Sequence, residues 1–175
     1  MLRLASEFSL SPLFRRKWPS VYEALEDSRP NREKMMGLYL KQMPSQEQLL
    51  VAIDHSPWLR PEAKTLRERT YEHQPGASKK VGVGQGYSTI AWIPEEKGSW
   101  ALPLRHERIS SWESPLSKAV WQVKEVCKHL NQRILLLIDR EYANASWVKA
   151  TIGLEVDSLM RLRSNLCFWS APPAY

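Results

Sequence analysis

The 175-residue chain contains no apolar run approaching the roughly 18 to 20 residues needed to cross a bilayer as a helix. Its first thirteen residues lack the basic region followed by an apolar one that marks a secretory signal, so a soluble, cytoplasmic protein is expected. There are only two cysteines, Cys127 and Cys167, both in apolar surroundings and neither with partners at metal-ligand spacing. That excludes a disulfide framework and a zinc site, and both cysteines read as core residues. The histidines His73, His106 and His129 likewise lack a partner at ligand spacing. No internal repeat is present, and the length suits one ordinary core with a small appendage.

What the chain does have is positive charge. Twenty-five Lys and Arg against nineteen Asp and Glu give a formal net charge of +6. Cations that neutralise phosphates release condensed counterions, so this balance favours a polyanionic partner such as nucleic acid. The basic residues are spread along the chain, which also fits a plain positive surface. Eight tryptophans, several beside Arg or Pro, are either core anchors or surface stacking platforms, with the core as the default reading.

Residues 1–45 read as a helical region. Trp18, Val21, Tyr22 and Leu25 recur at helical spacing, Pro19 suits a first turn, and Pro30 closes the segment. A second helix follows, with Asn31 as its cap and Met35, Leu38 and Tyr39 as its apolar side, ending at Pro44. Residues 48–56 read as a strand in which Leu49, Leu50, Val51, Ala52 and Ile53 run directly into Asp54. Residues 60–80 form a basic loop, with Arg60, Lys64, Arg67, Arg69, Lys79 and Lys80 set against Glu62, Glu68 and Glu72.

Two strands at 87–93 and 100–105, joined by the turn-rich 94–99, predict an antiparallel hairpin. Ser114 and Pro115 then open the clearest helix, in which Leu116, Val120, Val123, Cys127 and Leu130 form one face at spacings of four, three, four and three. It leads into 133–139, where Ile134, Leu135, Leu136, Leu137 and Ile138 suit a strand buried on both faces, ending on Asp139. A short helix at 143–150 and a strand at 156–163 follow, and 168–175, with Pro172 and Pro173, reads as an unfinished connection. Hairpin first and helical crossover later imply a mixed α/β sheet, the crossover being right-handed.

Two apolar strands that each deliver an aspartate need an explanation, because a carboxylate at a buried strand end requires a partner charge or a metal. Converging, Asp54 and Asp139 would offer hard oxygen ligands to Mg²⁺. Otherwise each caps the turn that follows its strand.

The segments Ala-Ile-Asp-His-Ser-Pro-Trp, Arg-Thr-Tyr-Glu-His-Gln, Val-Gly-Gln-Gly-Tyr-Ser and Leu-Leu-Ile-Asp-Arg-Glu-Tyr-Ala-Asn resemble the DDE transposases of bacterial insertion sequences, over residues 14–175. The resemblance implies a ribonuclease H-like mixed sheet, here incomplete, over 46–175 behind a helical region at 1–45. It implies that Asp54 and Asp139 are catalytic metal ligands for Mg²⁺ or Mn²⁺, performing two-metal phosphoryl chemistry on transposon-end DNA. Arg67, Arg69, Lys79 and Lys80 become candidate DNA contacts. A homo-oligomer or a full-length transposase is the further partner expected. A DDE site also needs a third acid, normally a glutamate on a helix well downstream. Glu155 and Asp157 come too soon after Asp139 and adjoin a strand, so neither takes that role and the chain reads as truncated. The alternative is a catalytically inactive remnant that binds DNA or full-length transposase.

Gly82, Gly84 and Gly86 resemble a dinucleotide-binding fingerprint, but such a fingerprint opens a helix and here a strand is expected. His55, adjacent to Asp54 on a strand, points to the opposite face and reads as structural. Arg140 and Glu141, just after Asp139, either orient substrate or pair with each other.

Overall fold

The computed structural model describes residues 12, 19–45, 48–73, 81–94, 100–165 and 167. The chain divides into two compact units, Met1–Met35 and Met36–Tyr175. In the first, helix α1 (Pro19–Asp27) starts on its proline, where the missing N–H is no loss. The side chains of Trp18, Tyr22 and Leu25 lie outside the described residues. Helix α2 (Arg32–Lys41) is capped as its sequence suggests, the Lys34 N–H donating to Asn31 Oδ1 at 3.0 Å. Its buried residue is Met36, whereas Leu38, expected on the apolar side, is exposed.

The second unit is built on one six-stranded mixed sheet. Strand β1 (Gln48–Leu59) runs antiparallel to β3 (Val81–Trp92) and parallel to β5 (Arg133–Ile138), which is followed by parallel β6 (Val156–Met160). The far edge of β3 is shared, β2 (Thr70–His73) pairing with its first part and β4 (Leu102–Arg108) with its second. The order β4-β3-β1-β5-β6 is the ribonuclease H-like one. Helix α3 (Pro115–His129) links β4 to β5 and packs on β3 and β1, and the short α4 (Ala145–Thr151) links β5 to β6.

Helix α3 begins with a reciprocal cap, Ser114 Oγ accepting from the Ser117 N–H at 3.1 Å and Ser117 Oγ accepting from the Ser114 N–H at 2.9 Å. Its buried side is centred on Ala119, Val120, Gln122, Val123 and Val126, which moves the expected face by about a seventh of a turn. Cys127 is therefore only half-buried, and Cys167, read from the sequence as core, is exposed. Gln122 is wholly buried because Ser88 Oγ donates to its Oε1 at 2.6 Å while its Nε2 donates to the Ser88 carbonyl at 3.0 Å. Further along α3, the Lys118 ammonium lies 2.7 Å from Glu113. Burial alone would raise the Glu113 carboxyl, but hydrogen bonds from Lys118 and Ser110 hold it below its ordinary value.

The apolar strands alternate strictly. Leu49, Val51 and Ile53 of β1 and Ile134, Leu136 and Ile138 of β5 face the helices and are buried, whereas Leu135 and Leu137 are half-exposed. The expectation of a strand buried on both faces is thus corrected to one buried face and one open face. β1 also outruns its apolar stretch by six residues. Asp54 lies within the strand because β3 continues to pair with it as far as Leu59↔Gly84, after β5 has ended at Ile138.

The glycines of β3 do not open a helix, as a dinucleotide-binding fingerprint does. They lie in the strand, and a Cβ on Gly84 would sit 2.2 Å from the Trp58 carbonyl oxygen and 2.7 Å from Leu59 Cα. A Cβ on Gly86 would meet Glu72 Oε1 at 2.7 Å and His55 Nε2 at 2.8 Å. This bare strip is what lets β1 and β2 close on β3. Gly84→Ala should therefore lower stability by about 2 kcal/mol or more, since the clash is with backbone that cannot rotate away. Urea unfolding checks it. An unchanged midpoint would mean that β1 moves freely against β3.

Candidate metal and nucleic-acid site

The parallel register Ile53↔Ile138 makes Asp54 and Asp139 the next residues on two neighbouring strands, whose spacing is about 4.8 Å. Both aspartates are exposed. They therefore stand beside each other at the open end of the β1–β5 seam, and their exposure rather than a buried partner makes their charge tolerable.

Tyr142 lies within the field of these acids. The chain turns at once after β5, the Tyr142 N–H donating to the Asp139 carbonyl at 3.0 Å, and this folds the Tyr142 ring back into the core against Trp147. Burial first, then the negative charges of Asp54, Glu141 and Asp139, push its phenol well above the ordinary tyrosine value. It therefore stays protonated as a donor. Yet its hydroxyl is fully buried without a hydrogen-bond partner, an unmet donor next to three carboxylates.

The reverse face of β1 carries His55, whose Nε2 lies 3.0 Å from Glu72 on β2. The approach satisfies distance but not hydrogen-bond direction, so Nε2 counts as unsatisfied and the contact as electrostatic at most. The sequence-based separation of His55 from Asp54 onto opposite faces is what the strand shows. Glu155 and Asp157 are remote from the pair. They bind Arg133, Asp157 through Nε at 2.6 Å and Nη2 at 2.7 Å and Glu155 through Nη1 at 3.1 Å, at the start of β5, about 20 Å from its end. Among the described residues no group of three His, Cys, Asp or Glu is placed to hold a metal ion.

Of the four basic candidates, Lys79 and Lys80 lie outside the described residues. Arg69 closes the loop on itself, its guanidinium donating to the carbonyls of Arg60, Pro61 and Lys64 at 3.2 to 3.4 Å. Arg67 is exposed, and its carbonyl accepts from Gln85 Nε2 at 3.0 Å, which fixes the loop to β3. The ion pair between Arg108 and Glu68 adds a second tie. Residues 60–80 are thus not one loop, because β2 interrupts them and pairs with β3.

The sequence reading missed the groups that surround Asp54. Thr89 pairs with it across β3, and His106, set aside for want of a ligand partner, pairs with Thr89 from β4. Period-two alternation places each of these on one face of its strand, but their meeting depends on register, which no single segment encodes.

No family model and no curated protein sequence matches the chain. Among solved structures it is similar to the piggyBac transposase synaptic complex with hairpin DNA, at 13% identity and a TM-score of 0.42 over 67% of this chain. It is similar also to the Drosophila P element transposase strand transfer complex, at 8% identity and 0.41 over 83%. A third is the Mos1 strand transfer complex, at 11% identity and 0.35 over 94%. The chain spans 23%, 34% and 55% of those chains respectively.

If the Tyr142 hydroxyl is an unmet donor, removing it should relieve the protein. Tyr142→Phe is expected to stabilise the metal-free chain by about 1 kcal/mol, part of the penalty for burying an unpaired hydroxyl. Urea unfolding of both forms measures this, and a clear loss of stability would show that the hydroxyl has a partner.

Proposed function

We propose that the chain is a transposase polypeptide of the DDE type found in bacterial insertion sequences, acting on transposon-end DNA. The observation that supports this reading is the β1–β5 register, whose last pair, Ile53↔Ile138, immediately precedes Asp54 and Asp139 on a ribonuclease H-like sheet. Two exposed carboxylates with oxygen donors only suit a hard divalent cation, and Mg²⁺ is known to bind through one or two carboxylates plus substrate phosphate. When bound, Mg²⁺ or Mn²⁺ would neutralise charge at a phosphoryl oxygen and align attacking and leaving oxygens.

The chain's own residues then divide the work. Asp54 and Asp139 would hold the ion, and the exposed Arg67 would approach the phosphate backbone from a loop that Arg69 keeps closed. Lys79 and Lys80 add charge to the same stretch of sequence. Among the described residues no group of three acids is placed to hold a metal ion, and this favours a second reading: a DNA-binding remnant, or a partner of full-length transposase, without catalysis.

The first test is binding. Duplex DNA should bind at low salt with little sequence discrimination, and affinity should fall steeply as salt rises. The combined alanine variant of Arg67, Arg69, Lys79 and Lys80 should flatten that dependence. Absence of binding at low salt would remove the DNA reading altogether.

The second test is chemical. This 175-residue chain is expected not to cleave transposon-end DNA with Mg²⁺ or Mn²⁺, because two aspartates alone do not place two ions for in-line displacement. Mn²⁺ should nonetheless raise its unfolding temperature, and Asp54→Ala or Asp139→Ala should abolish that shift. Cleavage abolished by both substitutions would show that the chain holds a complete site.

A further inference from the structure

Past Asp54 the open face of the sheet becomes aromatic. Ser56 pairs with Tyr87 and Tyr87 with Arg108, while Trp58 pairs with Gln85, so Trp58, Tyr87 and His106 share the face that carries Asp54 and Thr89. Tyr87 and His106 stack in parallel with centroids 5.0 Å apart, and Trp58 meets Tyr87 edge-on at 6.1 Å. The rings line a groove of about 410 Å³ together with Ser56 and Pro57. Trp58 is 45% exposed although a tryptophan gains most from burial.

We propose that Trp58, Tyr87 and His106 form a stacking platform for unpaired bases of the DNA strand whose phosphate lies at Asp54 and Asp139. The proposal rests on the DNA reading above and adds to it the kind of DNA that is held.

Three features select a nucleic-acid strand over a second protein surface. The first is charge. The Arg60 guanidinium lies 4.3 Å over the Trp58 ring, and Arg67 projects from the loop that Gln85 fastens to the same strand. A ring flanked by arginine offers a base its face and a phosphate its counterion. The second is order. Tyr87 donates to Gln85 Oε1 at 3.0 Å and His106 Nδ1 lies 2.8 Å from Thr89 Oγ1, so two of the rings are fixed before any ligand arrives. The third is spacing. Tyr87 and Trp58 lie two and four residues beyond the Asp54 row, about 7 and 13 Å along the strand. Steps of about 7 Å are twice the ~3.4 Å rise of a stacked strand in duplex DNA, which suits bases that have come out of the stack.

The simpler view is that these rings only steady the sheet as cross-strand pairs. That view predicts no dependence of binding on bases. The test is fluorescence anisotropy with the full chain, labelled oligothymidine, an oligonucleotide of equal length with abasic sites, and a duplex. Wild-type protein should bind oligothymidine about tenfold more tightly than the abasic strand, which has the same phosphates. Trp58→Leu combined with His106→Leu, shown to be folded by its unfolding midpoint, should erase that difference. Equal binding of the two strands, or a preference that survives in the variant, with duplex still bound, would overturn the platform and leave the DNA reading standing. Should no nucleic acid bind at low salt, both would fall together.

Discussion

The parallel hydrogen-bonded register between β1 and β5 is the constraint on which the site depends. Slipping one strand by a single residue would turn every side chain to the other face. Leu49, Val51 and Ile53 could not then stay buried beside Ile134, Leu136 and Ile138, so the core fixes the register. Asp54 and Asp139 are carried along by that choice. Their proximity needs no attraction between them, and like charges supply none; it is imposed by the burial of the six apolar residues that precede them on alternate positions.

A second constraint shapes the ground beyond the acids. β1 continues only because β3 stays alongside, and β3 can be flanked by β1 and β2 there only because Gly82, Gly84 and Gly86 leave no Cβ in the way. The glycine strip faces the side of His55 and Leu59, whose side chains occupy the space. The opposite side keeps Tyr87 and Gln85, and Gln85 in turn holds the Arg67 carbonyl. Small residues on one face of β3 thus let the strands meet, while large ones on the other give the basic loop an anchor.

Much of this was legible in the sequence wherever a local period carried it. The apolar runs ending in Asp54 and Asp139, the Ser114–Pro115 helix start, and the β3–β4 hairpin are each written within about twenty residues, and each appears in the fold. What local pattern could not give is pairing. β2 is four residues long and polar, so only its partner β3 makes it a strand, and the length of β1 past Asp54 likewise comes from β3. The same limit concealed His106 and Thr89, whose nearness to Asp54 spans three strands. Exposure was misjudged for a related reason. Leu135, Leu137 and Cys167 are apolar, but whether an apolar residue is covered depends on what lies over that face of the sheet, which composition does not say.

Asp54, Asp139 and Glu141 bring negative charge together around a buried phenol that has no hydrogen-bond partner. Neither feature strengthens a fold: clustered like charges repel, and an unmet buried donor costs about 1 to 3 kcal/mol. Two other buried polar pairs, Ser88 with Gln122 and Arg105 with Glu107, are satisfied, although His55 Nε2 shares the phenol's lack of a hydrogen bond. A chain that satisfies its interior polar groups in one place and leaves them strained in another has its sequence set by something other than stability at the second place. A cation bound by the aspartates would offset the first penalty by neutralising the carboxylates, while the phenol would still need a hydrogen-bond acceptor. Because such an ion binds the folded chain and not the unfolded one, its binding would appear directly as added stability.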